Sequence, residues 1–253
     1  MFNLKVHVIQ TGSMYLHQGF FSKEWGKDIG KKNHYPVWEA VITGGPETIL
    51  FDTGIGDIST FSAQWKKQVE PFGFKSISTA EFIARLKEIG LKPEDIDIVF
   101  NSHLHVDHAG FGKLFKHAKF CVQRGEIRYA YAPNSFHVGA YSREHFDFPG
   151  VDWMPIVGDY EIFDGISALT TPGHTPYHQS LTVKTSEGTV ILTGDCCYNR
   201  EEWENLVHPG SAFTPSIEVA IDSIRKLKRV KNSIPLFNHD MEFFTKEMKK
   251  TYG

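Results

Sequence analysis

The sequence predicts an α/β domain, and three observations carry that expectation. Short apolar runs of strand length recur along the chain, bounded by glycine and proline. Two longer stretches show helical spacing with recognisable ends. Four of the apolar runs end on a histidine or aspartate, and ligands in α/β folds gather in crevices at the carboxyl ends of strands.

In chain order, KVHVIQ at 5–10 nearly alternates and reads as a first strand. The segment Thr11 to Tyr35 is aromatic and broken by glycine. Its length predicts a loop that covers a site, makes a surface excursion or contacts another subunit. VWEAVIT and TILFDT read as strands joined by the turn GGPE. STAEFIARLKEIG at 78–90 reads as a helix: Ser78 and Glu81 have capping-box spacing, Phe82, Ile83, Leu86 and Ile89 share a face, and Gly90 stops it. IDIVF is a buried strand that runs into NSHLHVDHAGFG at 101–112. AKFCVQR is a further strand, and Asp164–Gly165 turns YEIF into ISALT, which leads to His174. TVILTGD leads to Asp195. SIEVAIDSIRKLKRV is a helix with its stripe at Ile217, Ala220, Ile221, Ile224 and Leu227, and IPLFNHD leads to His239. With no repeat, low-complexity tract or linker, one domain over residues 1–253 is expected.

Composition excludes several classes. The formal charge is −3 and the basic residues are scattered, which is not the footprint of a nucleic-acid binder. The densest basic run, Arg225 to Lys231, reads as a solvated helix face. No apolar run approaches the roughly 18 residues of a membrane span, and MFNLKVHVIQTG does not read as a signal peptide. A cytoplasmic protein without membrane or nucleic-acid partners is the expectation. Three cysteines make no disulfide framework, and Cys196 and Cys197 read as small buried residues at a strand end.

The segment His103 to His108 holds three histidines and an aspartate in six positions. Imidazole and carboxylate are the ligands zinc takes when thiolates are absent. His103 and His105, two apart, project the same way from extended chain and can share an ion. Asp107 and His108 diverge and can address a second. His174 and His239, at strand ends, are candidates to complete the sets, and Asp195 has two oxygens with which to bridge. Paired ions can hold hydroxide at neutral pH and clamp a scissile group. The other histidines, His7, His17, His34, His117, His137, His145, His178 and His208, read as core or surface residues.

HLHVDH at 103–108 resembles the His-x-His-x-Asp-His signature of the metallo-β-lactamase superfamily, and His174, Asp195 and His239 follow in its ligand order. The resemblance runs through the whole chain. It implies an αββα sandwich: two mixed β-sheets face to face, helices outside, and the metal pair at one edge. Carried over, it assigns His103, His105 and His174 to a first metal, Asp107, His108 and His239 to a second, and Asp195 to both. FDTG at 51–54 resembles the superfamily's early strand-and-turn motif, which makes Asp52 a support of the metal loop.

Within the superfamily, SHLHVDHAG, TPGHTPYHQSL and GDCCY are similar to segments of the N-acyl homoserine lactone lactonases. That resemblance implies a quorum-quenching hydrolase that opens a lactone by attack of a metal-bridging hydroxide. Tyr198 would face the substrate carbonyl as a neutral donor and Asp107 would protonate the departing ring oxygen. The implied cofactors are two divalent ions, zinc by default, with manganese, iron or cobalt also suited to His/Asp sites. The same scaffold serves other lactones such as a pyridoxolactone, thioesters and β-lactams, and a non-catalytic metal-binding sensor is a further alternative. A full set of seven ligands favours an enzyme. Met14, Phe20, Phe21, Trp25, Phe61 and Trp65 are candidates for an acyl groove, or for core and dimer contacts, and the long aromatic loop points to a homodimer. Val106 stands where that group often has an aromatic, which leaves acyl-chain preference open.

Overall fold

A computed structural model of the chain describes residues 2–17, 30–207 and 214–253. Its strands are β1 (Lys5–His17), β2 (Lys32–Thr43), β3 (Ile49–Phe51), β4 (Lys75–Ser76), β5 (Ile98–Phe100), β6 (Lys119–Gln123), β7 (Asp152–Ile156), β8 (Tyr160–Phe163), β9 (Ile166–Thr170), β10 (Gln179–Thr185), β11 (Gly188–Leu192), β12 (Ser233–Leu236) and β13 (Thr251–Tyr252). Its α-helices are α1 (Ala63–Val69), α2 (Thr79–Glu88), α3 (Arg124–Tyr131), α4 (Arg143–Phe146), α5 (Arg200–Asn205), α6 (Ile217–Lys228) and α7 (Met241–Lys246).

Two mixed sheets result. One runs β13-β1-β2-β3-β5-β6-β7 with β4 on β1, and the other β12-β11-β10-β9-β8. In the first, β3, β5, β6 and β7 are mutually parallel, while β1, β2 and β3 pair antiparallel. Parallel strands covered on both faces read as continuous apolar runs, as ILF and IVF do here. One face of this sheet and residues of the other form a shared core that includes Ile42, Phe51, Phe100, Leu181, Val190 and Leu192. Phe51 and Phe100, partners across β3 and β5, stack at 5.7 Å. The opposite face of the first sheet, Val41, Leu50, Val99 and Phe120, packs on Phe82 and Leu86 of α2. Ile224 and Leu227 of α6 join the shared core. These are the two mixed sheets with flanking helices that the sandwich requires.

Three sequence expectations need correction. The segment from Thr11 to Tyr35 is not all loop. β1 continues to His17 and pairs antiparallel with β2 from Lys32 onward; residues 18–29, with Phe20, Phe21 and Trp25, lie outside the described residues. A register shift between Gln10 and Gly12 breaks the inward alternation that would have marked the strand. In α2, capped by the Ser78–Glu81 box as expected, Phe82 and Leu86 are buried but Ile83 is 38 % exposed. In α6, Ala220, Ile224 and Leu227 face the core whereas Ile217 is 46 % exposed.

The topology explains why four strands deliver polar residues to one place. β10 is antiparallel to both β9 and β11, so those two run the same way, and β12 is parallel to β11. Their ends lead to His174, Asp195 and His239 at a common edge, where they meet the segments that follow β3 and β5.

Candidate metal centre

After β5 the chain enters a turn pinned on both sides. Thr53 N donates to His108 O at 2.7 Å, Gly110 N to Gly54 O at 2.7 Å, and Val106 N to Ala140 O at 2.9 Å. His108 N donates to His105 O at 3.1 Å, which curls the turn so that His105 and His108 diverge. The Asp195 turn after β11 depends on Gly194, whose φ is +55°. A Cβ at Gly194 would lie 2.7 Å from His178 Nε2.

The seven expected side chains converge. Ligand-type atoms of His103, His105 and His174 lie within 4.8 Å of one another, and the same holds for His103, His108 and Asp195 and for Asp107, His108 and His239. Asp195 faces both groups: Oδ1 is 3.2 Å from His108 Nε2 and 3.2 Å from His239 Nε2, while Oδ2 is 3.3 Å from His174 Nε2. Ligands on one tetrahedral zinc at 2.0–2.1 Å are themselves about 3.3 Å apart. Asp107 Oδ2 is further out, 3.7 Å from His108 Nε2 and 3.9 Å from His239 Nε2. His105 Nδ1 and His174 Nε2 are 2.9 Å apart.

Outer partners orient the rings, as ligating imidazoles require. Ser102 Oγ donates to Asp52 Oδ2 at 2.7 Å, so its contact with His103 Nδ1 at 3.0 Å is one in which the ring donates. That leaves the lone pair of His103 on Nε2, a buried atom with no hydrogen-bond partner among the described residues. His108 Nδ1 donates to Asp52 Oδ2 at 2.9 Å and His239 Nδ1 to Pro36 O at 2.9 Å, so both present Nε2 as a base. Such a convergence of lone pairs and carboxylate oxygens fits divalent cations. Asp52, at φ +55° directly after β3, also accepts from Ser102 N at 2.7 Å. The expected support of the loop is thus a carboxylate shared by Ser102 and His108.

The electrostatics divide the rings. Burial, aided by neighbouring imidazoles, holds His103 and His105 well below the ordinary histidine pKa. Burial does the same to His174 against the pull of Asp195. At His108 burial opposes charge but Asp195, Asp107 and Asp52 outweigh it, and the pKa lies well above the ordinary value. Asp195 is held well below the ordinary carboxylate range, because His108, His239 and His174 overcome its burial.

Tyr198 is 1 % exposed, and its hydroxyl is 2.7 Å from His174 Nδ1. It shares a pocket with His105, Asp107, His174, Asp195 and His239. The apolar walls of this pocket are Met14, Leu16, Val69, Phe72, Phe74 and Val106. Of the expected groove residues that are described, Met14, Phe61 and Trp65, only Met14 lines it. Phe61 and Trp65 pack instead against His145, at 4.5 and 6.2 Å, and His208 lies outside the described residues. Leu16, Val69, Phe72 and Phe74 were missed because nothing local distinguishes a pocket wall from core. His178, expected to be a core or surface residue, is buried: its Nε2 accepts from Asp195 N at 3.0 Å and its Nδ1 meets Thr171 Oγ1 at 2.8 Å.

Comparison with known proteins matches this geometry to one family. The model of the metallo-beta-lactamase superfamily matches residues 36–237. The N-acyl homoserine lactonase AiiA of Bacillus thuringiensis subsp. kurstaki is 35 % identical over 223 residues, 84 % of each chain. A solved quorum-quenching N-acyl homoserine lactone lactonase superposes with a TM-score of 0.80 at 31 % identity, covering 98 % of this chain and 97 % of that one. An N-acyl homoserine lactone hydrolase with the product N-hexanoyl-L-homoserine bound at its catalytic metal centre has a TM-score of 0.77 at 30 % identity, covering 96 % and 95 %.

Proposed function

Because the chain belongs to the metallo-beta-lactamase superfamily, we propose that it is a dinuclear metal-dependent hydrolase that opens the ring of N-acyl homoserine lactones. The observation that carries the reading is the two-sided environment of Asp195, with each carboxylate oxygen facing a different histidine set. His103, His105 and His174 would hold a first ion, Asp107, His108 and His239 a second, and Asp195 faces both sets. Zinc suits a thiolate-free His/Asp set. Bound there, two divalent ions would make hydroxide available from water near neutral pH and would polarise a carbonyl.

The protein's own groups do the rest. With Nε2 of His174 facing Asp195 and His105, its Nδ1–H donates to the Tyr198 hydroxyl. The phenol O–H would donate to the lactone carbonyl oxygen as negative charge develops there. Asp107, the more open of the two carboxylates at 13 % side-chain exposure against 6 % for Asp195, lines the pocket. Water adds its oxygen to the carbonyl carbon and gives up a proton, which passes through Asp107 to the ring oxygen as the acyl C–O bond breaks, and the product is the ring-opened hydroxy acid. Met14, Leu16, Phe72 and Phe74 give the acyl chain an apolar wall.

A panel of N-acyl homoserine lactones of graded chain length, followed by pH-stat titration of released acid, tests this. Acid release with at least one chain length is expected. Turnover of a pyridoxolactone, thioester or β-lactam with none of the panel would overturn the substrate class.

A further inference from the structure

Glu126 is a buried carboxylate outside the seven-residue set. It lies on α3 with no exposed surface. Its Oε1 accepts from Leu104 N at 3.2 Å and from Tyr141 Oη at 2.8 Å, and its Oε2 accepts from Thr175 Oγ1 at 2.7 Å. Each donor adjoins a member of one metal set. Leu104 sits between His103 and His105. The ring of Tyr141 stands edge-on to His105 at 4.6 Å, and the two residues also pair as an isolated β-bridge. Thr175 directly follows His174.

We infer that Glu126 is a positioning residue for the first metal alone, clamping the loop of His103 and His105 to the loop of His174. The two loops come from different sheets, one after β5 and one after β9. These three hydrogen bonds give them a common anchor. His108 and His239 are oriented by other partners, Asp52 and the Pro36 carbonyl. Asp52 reaches both sets, His108 directly and His103 through Ser102, whereas the three contacts of Glu126 adjoin the first set alone, so losing Glu126 weakens one ion and spares the other. The inference rests on the dinuclear reading above.

The test compares wild type, Glu126→Ala, Glu126→Gln and Thr175→Val, each loaded with Co²⁺, by chelator competition and by the visible d–d absorption. Wild type is expected to hold two ions. In Glu126→Ala one ion is expected to bind about 10–100-fold more weakly, the usual cost of losing an outer partner. The cobalt spectrum should change for that ion and not for the other. Thr175→Val should weaken the same ion to a smaller degree. Glu126→Gln should retain both ions, because its carbonyl can accept from Leu104 N–H and Tyr141 O–H while its amide donates to Thr175 Oγ1. Equal weakening of both ions, no weakening in either Glu126→Ala or Thr175→Val, or a glutamine variant as impaired as the alanine one would overturn the inference. If the alanine variant does not fold, Thr175→Val and Glu126→Gln decide. A wild type that fails to hold two ions sinks the dinuclear reading instead.

Discussion

Tyr198 is the residue whose expected part in the reaction leaves the clearest experimental mark. Its hydroxyl contacts the ring edge of His174, and no ligand atom of the set belongs to it. Tyr198→Phe is therefore expected to keep full metal content while kcat falls about a hundredfold, the scale for removing one oxyanion donor. Unchanged turnover at normal metal content would remove Tyr198 from the chemistry. At this scale much of the candidate site could be read in advance, because the candidate ligands are close in sequence or stand at strand ends. Their supports were harder to see. Asp52 was visible through FDTG, but Glu126 sits in RGEIRYAY, which looks like an ordinary polar helix, and only folding turns that carboxylate inward.

At the scale of elements, the orientation of α2 separates two isoleucine/leucine positions that the sequence put on one face. Leu86 is fully buried against Val99 and Phe120, whereas Ile83 is 38 % exposed. Urea denaturation is expected to show Leu86→Ala destabilised by about 2–5 kcal/mol and Ile83→Ala by well under that. Equal losses would mean that the helix is rotated. The apolar spacing could not make this distinction, since an amphipathic stripe of about 100° admits borderline positions at its edge.

The α4 segment carries a second element-scale prediction. His145 is 4 % exposed, neither ring nitrogen has a hydrogen-bond partner among the described residues, and burial lowers its pKa to about 4. The unfolded chain binds this proton near pH 6.5 and the folded one only near pH 4. Stability is thus lost as pH falls between those values. The loss attributable to this one residue is about 2 kcal/mol between pH 8 and pH 5. Replacing His145 with Phe, beside Phe61 and Trp65, should remove that part of the pH dependence in denaturation curves. An identical slope in the variant would show that the imidazole is accessible to protons in the folded state.

Across the whole molecule, the two sheets bring together side chains more than a hundred positions apart, His103 with His239 at the extremes. Charged and polar groups this densely buried are costly without a cation to satisfy them. Removal of metal is expected to lower the melting temperature, with recovery on adding back the ion. The sandwich was legible at this scale through the family signature, since apolar runs alone specify strands and not their pairing. The pairing of β1 with β2 was not, because a register shift between Gln10 and Gly12 breaks its period.

Metal analysis of protein purified without a chelating resin tests the central claim most directly. Two divalent transition ions per chain are the predicted result; a polypeptide that retains only trace metal, even after incubation with zinc, would contradict it.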